Sequence, residues 1–184
     1  MLFVLDDFFG RAKFRVKSYF LKLIYSILLR TFLRGAPMYD HVELPSQYRL
    51  NHEKIDAQHA QLFACLMHMN QLLKNEDKKN NKQIEEAMND VLRFLRGYAQ
   101  NHFHYEESIM KKTHDPNFEQ HQKFHNEFLN DIIALQLKGA KNHKSKMAIL
   151  GEIALFIKNW YLNHILHEDK KIVDFEKEWN LNKK

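Results

Sequence analysis

The sequence predicts an all-α protein: an up-down-up-down four-helix bundle with an amphipathic helical extension at its N-terminus. Three observations predict it. Only five glycines and three prolines interrupt 184 residues, so long elements are expected. From residue 55 onward, apolar residues recur at helical spacing in four successive segments. Nothing alternates apolar and polar residues as a half-buried strand does, and short polar or proline-bearing segments join the four patterns, as antiparallel bundle neighbours require.

The extension comes first. Residues 1–37 carry Arg11, Lys13, Arg15, Lys17, Lys22, Arg30 and Arg34 against Asp6 and Asp7, which accounts for the whole net charge of +5. Residues 38–184, taken as the bundle domain, are therefore charge-balanced and show no electrostatic footprint for nucleic acid. The stretch SYFLKLIYSILLRTFL (18–33) has no uncharged run approaching the ~20 residues of a membrane span. On a helix it places Ser18, Lys22 and Ser26 on one side, with aromatic and aliphatic residues over the rest. This pattern suits contact with an anionic membrane surface through residues 11–34. Packing against the domain or a partner, or a translation start at Met38, would account for it too. RGAP (34–37) breaks the helix, and residues 38–53, with Pro45, read as an extended arm.

The first bundle helix is expected over about Ile55–Lys74, with Leu62, Phe63, Leu66, Met69 and Leu73 in register. After the polar loop NEDKKNN, a second runs over about Lys82–Lys112, with Met88, Val91, Leu92, Leu95, Tyr98 and Phe103; Gly97 would soften it. THDPN turns the chain at Pro116. The third helix is expected over about Phe118–Lys138, with Gly139 as its stop. The fourth runs from about Lys144 past Asp169, and IVDFEKEW adds a turn or helix beyond it. The one cysteine, Cys65, excludes an intramolecular disulfide and a cysteine-based zinc motif. It points to a reducing, cytoplasmic setting, at the inner face of the membrane if the extension docks there. No nucleophile triad, phosphate-cradling glycine loop or dinucleotide motif is present.

The chemistry lies in the histidines. In NHFHYEESIM, His102 and Glu106 are four apart and share the core face. His104 turns outward and Glu107 falls at the edge. HQKFH places His121 and His125 four apart on the third helix. HILHED offers His164 with Glu168 or Asp169 on the fourth, and IDAQHAQLF sets His59 among core positions of the first. Each pattern alone is ordinary. Together they would bury five histidines and two carboxylates in an apolar core, at a large desolvation cost. A dimetal centre accounts for all of them, and imidazole with carboxylate suits iron, zinc or manganese.

These segments, in this order, resemble the hemerythrin-like family in its bacterial branch: H, then HxxxE, then HxxxH, then HxxxxD, over about residues 48–175. The resemblance implies two iron ions with an oxo or hydroxo bridge. His121, His125 and His164 would hold one iron and His59 and His102 the other, with Glu106 and Asp169 bridging. It selects Asp169, five residues after His164, over Glu168, which has the better α-helical spacing; a local loosening of the helix would turn Asp169 inward. It implies reversible dioxygen binding for storage, delivery or sensing, and not a catalytic role. A di-iron peroxidase, a nitric oxide or iron-handling oxidase, or a metal-stabilised sensor acting through the N-terminal helix would use the same scaffold. Trp160 and Phe103 would wall the pocket. His41, His52, His68, His114, His143 and His167 are left to surface or supporting positions.

Overall fold

A computed structural model describes residues 42–75, 80–141 and 146–183. The basic extension, residues 1–37, and the membrane contact expected of it lie outside the described residues. A 3-10 turn at Ser46–Tyr48 leads into α1 (Glu53–Lys74), α2 (Asn81–Thr113), α3 (Phe118–Lys141) and α4 (Lys146–Trp160). The chain then continues without a break through a π-helical segment, Tyr161–Asp169, into α5 (Lys170–Leu181). Each of the first four helices packs on its two neighbours in the ring α1–α2–α3–α4, and α5 packs on α2. The fold is the all-α bundle the sequence predicts. Among the described residues no helix is long and apolar enough to cross a membrane.

Local chemistry sets the helix ends. The His52 ring accepts from the Ile55 amide at the start of α1, where Glu53 and Asp56 also complement the helix dipole. Asp56 reaches back to accept the Leu50 and Asn51 amides at 2.8 and 3.1 Å, which pins the arm to the bundle. Asn80 and Gln83 form a reciprocal capping box at the start of α2. α2 ends on His114 in the left-handed region at φ 54°, and the Asp115 carboxylate accepts the Asn117 amide to shape the turn into α3. Gly139 does not stop α3, which runs on to Lys141. IVDFEKEW forms the helix expected beyond the fourth, α5, which the π segment joins to α4 without a break.

Two apolar layers enclose the middle of the bundle. One contains Leu50, Ile55, Ile109, Met110, Ile172 and Val173, with Tyr105 and Phe118 packed against it. The other is built from residues such as Leu66, Leu92, Leu95, Ile132 and Ile153, all essentially without exposure. Between them lies a layer of buried polar residues.

Gly97 does not break α2. It is solvent-exposed in the helix interior, and a methyl group there would meet nothing within 4 Å. Gly97→Ala is therefore expected to stabilise the fold by about 1 kcal/mol through helix propensity and a less flexible unfolded chain. Thermal unfolding followed by circular dichroism should show a rise of about 2–4 °C; no rise would mean that the glycine has a use the helix geometry does not reveal.

Candidate metal centre

The polar layer consists of His59 from α1, His102 and Glu106 from α2, His121 and His125 from α3, and His164 and Asp169 from the π segment, all buried. Every histidine expected from the sequence to face the core does so. Their donor atoms form two sets, each within 4.8 Å: Glu106 with His121, His125 and His164, and His59, His102, Glu106 and Asp169.

The two carboxylates join these sets. Asp169 turns Oδ1 to His164 Nε2 at 3.1 Å and His121 Nε2 at 3.6 Å, and Oδ2 to His59 Nε2 at 3.2 Å and His102 Nε2 at 3.7 Å. Glu106 turns Oε2 to His125 and His121 at 3.3 and 3.5 Å, and Oε1 to His102 at 3.4 Å. Each carboxylate thus offers one oxygen to a three-histidine flank and one to a two-histidine flank.

The π segment decides between the two acids after His164. An α-helix would bring Glu168, four residues on, to the histidine's face. The wider π turn brings round the residue five on, so Asp169 is inside with no exposure. Glu168 instead pairs with Lys171 at 2.7 Å on the outside.

Hydrogen bonds aim the rings. His102 Nδ1–H donates to Gln58 Oε1 at 3.1 Å, and His125 Nδ1–H donates to Glu107 Oε1 at 3.0 Å. Both interactions fix the tautomer whose Nε2 lone pair faces inward. Gln122 in turn donates to the other Glu107 oxygen at 3.0 Å. Sequence spacing gives Gln58 no role and puts Glu107 only at an edge. Each is next in the chain to a core ligand, His59 or Glu106, but the ring it holds lies on a different helix. Phe103 stacks on His125 at 3.8 Å, not on its neighbour His102, and Trp160 stacks on His164 at 4.0 Å. His121 borders a surface cleft of about 250 Å³ with Gln120, Phe124 and Glu168 on its walls.

The histidines without a place in the cluster fall elsewhere. His52 caps α1 and faces Glu176 at 3.3 Å, His114 ends α2, and His167 Nδ1–H donates to the Leu162 carbonyl. His104 is exposed and His68 half-buried. His41 and His143 lie outside the described residues.

The cluster fits a bound cation. Nε2 of His102, His121, His125 and His164, both Glu106 oxygens and Asp169 Oδ1 are buried with no hydrogen-bond partner among the described residues. A protein core rarely leaves so many polar atoms unsatisfied in one place. Burial and the neighbouring Asp169 charge push the Glu106 carboxyl up to about 7. Burial opposes the Asp169 charge too, but the surrounding rings of His164, His102 and His59 outweigh it and hold the carboxyl well below the usual range. Burial pushes His125 down to about 4, against the pull of Glu106, and also lowers His121. Both rings are therefore neutral at neutral pH and offer lone pairs with no proton to displace. A cation between the carboxylates would remove their mutual repulsion.

Two outcomes follow. Chelating the bound metal is expected to lower the melting temperature by about 10 °C, taking ~4 kcal/mol for a ligand at a thousand times its Kd and roughly 2–4 °C per kcal/mol for a chain of this size. Calorimetry before chelation, after it and after metal is returned would check this; identical melting temperatures would detach the metal from the stability of the core. Asp169→Ala is expected to weaken metal binding by about 100-fold or more, and Glu168→Ala by less than about twofold. A competition titration that found the reverse order would place Glu168 in the centre.

The model of the hemerythrin HHE cation binding domain matches residues 50–175. A bacteriohemerythrin of Clostridium acetobutylicum is 27% identical over 128 residues, 70% of this chain and 95% of that protein. A myohemerythrin of Riftia pachyptila is 28% identical over 146 residues, 76% of this chain and 98% of that protein. The domain match covers the end of the arm that Asp56 pins, all four bundle helices and the π segment, and by it this chain belongs to the hemerythrin family.

Proposed function

We propose that this protein is a non-haem di-iron protein that binds dioxygen reversibly. The observation that carries the reading is the division of each carboxylate between two sets of histidines. A single ion has no use for that division; two adjacent ions sharing Glu106 and Asp169 do. His121, His125 and His164 would hold one iron, and His59 and His102 the other. The names of the two curated relatives, a bacteriohemerythrin and a myohemerythrin, support the same reading. Iron held by these residues would supply the electrons that dioxygen binding requires.

The remaining work falls to the chain. Five imidazoles and two carboxylates would leave a pair of ferrous ions only partly neutralised, a donor set suited to reversible electron donation more than to the deep oxidation that carboxylate-rich sites support. Gln58 and Glu107 hold ring orientation. Phe103, Phe128 and Trp160 pack on one another and on the three-histidine flank, and they keep water away from those rings. A second reading, a di-iron peroxidase or oxidase on this scaffold, is favoured by one feature: tyrosine hydroxyls buried beside the other flank.

Aerobic purification from iron-supplemented cells, metal analysis and an optical spectrum through a cycle of anaerobic reduction and return to air would test the proposal. About two irons per chain are expected, with charge-transfer bands that vanish on reduction and return as a stable spectrum in air. Immediate collapse to an oxidised form that no longer takes up dioxygen would favour the enzyme. A chain purified with zinc alone and no optical response would end the dioxygen reading.

A further inference from the structure

The two flanks of the centre are lined differently. On the three-histidine side the stacked rings are Phe103 on His125 and Trp160 on His164. On the two-histidine side the neighbours are phenols. The Tyr98 ring lies 4.9 Å from His102 and the Tyr161 ring 6.3 Å from His59. Both tyrosines are buried, Tyr98 at 4% and Tyr161 at 0% exposure. The Tyr98 hydroxyl has no hydrogen-bond partner among the described residues. Phenylalanine would fill the same space without burying a donor, so an unsatisfied phenol here needs an acceptor that the described residues do not supply.

The protein ligands show where that acceptor would sit. Each carboxylate offers one oxygen to each flank, while the histidines divide three to two. On the di-iron reading the His59–His102 side would have one protein ligand fewer, which leaves a place for a small molecule there. A phenol is protonated at neutral pH and donates a strong hydrogen bond to a charged acceptor. Glu106 and Asp169 both act electrostatically on Tyr98, and Asp169 acts on Tyr161 as well, so both phenols lie within the field of the centre.

We propose that Tyr98 and Tyr161 make the two-histidine flank a protic pocket, in which phenol hydrogen bonds select small ligands that carry negative charge over neutral ones. The inference rests on the di-iron reading and adds the chemical class of ligand that its open side prefers.

The test uses the full-length ferric protein with azide as the probe, titrated by its charge-transfer band in the wild type, Tyr98→Phe, Tyr161→Phe and the double variant. The double variant is expected to bind azide at least about tenfold more weakly at unchanged iron content, as loss of a hydrogen bond to a charged group predicts. In the wild type, the vibrational band of bound azide should shift between H2O and D2O by an amount that the double variant loses. Iron content as in the wild type, with azide affinity within about twofold, would overturn the protic pocket and leave the di-iron reading intact. Should the variants fail to hold iron, the wild-type isotope shift decides, and its absence overturns the proposal. A wild type that takes up no iron would overturn the di-iron reading and the pocket with it.

Discussion

The structure is organised around a conflict that its side chains cannot resolve among themselves. Two carboxylates and five imidazoles face one another in a layer without solvent. The lone pairs on those nitrogens and oxygens converge, and no donor from the described residues reaches most of them. Burying such groups without compensation costs several kcal/mol each. The compensation must come from positive charge at the middle of the bundle, which makes metal binding and folding one problem. The rest of the architecture can be read as the apparatus that holds seven side chains in that geometry.

Helix length and continuity are part of this apparatus. α2 spans 33 residues, which lets it carry His102 and Glu106 at mid-height while its ends join both apolar layers. α5 continues from the π segment alongside this helix and packs Ile172 and Val173 against Ile109 and Met110, closing the layer next to the site. The rings themselves are held from behind, by an amide at His102 and by a carboxylate at His125. A carboxylate acceptor makes its imidazole the stronger donor to a metal, so the two flanks differ in electronic push as well as in histidine number.

Much of this was legible in the sequence, because helical spacing is arithmetic. The separation of four between His102 and Glu106, and again between His121 and His125, fixes a shared face whatever the helices pack against. A core facing four ways then brings the faces together. What was not legible depends on neighbouring helices. Phe103 follows His102 in the chain but stacks on His125, because the side chain one step round the wheel leaves its own helix for the next. Glu107 looks like an edge residue for the same reason, and Gln58 is marked by nothing but its place next to His59. Gly139 looked like a stop because glycine often ends a helix, yet α3 continues through it.

Asp169 shows where periodic reasoning fails and why. With α-helical geometry His164 would share its face with Glu168, and the acid belonging to the cluster would point away. The nine-residue π segment Tyr161–Asp169 alters the winding over the stretch between the two side chains, and the flanking residues Trp160 and Lys170 return to ordinary right-handed helix. A π turn is less favourable than the α turn it replaces and persists where the surroundings over-determine it. Here the surroundings are specific. Trp160 is stacked on His164, Tyr161 is packed between Tyr48 and Phe63, and Asp169 meets four histidines. Unwinding to a regular helix would pull Asp169 from all four and turn Glu168 toward them, away from Lys171. The local strain is thus held by the same cluster it completes, and that is why a sequence with poor α-helical spacing still encodes the better-placed acid.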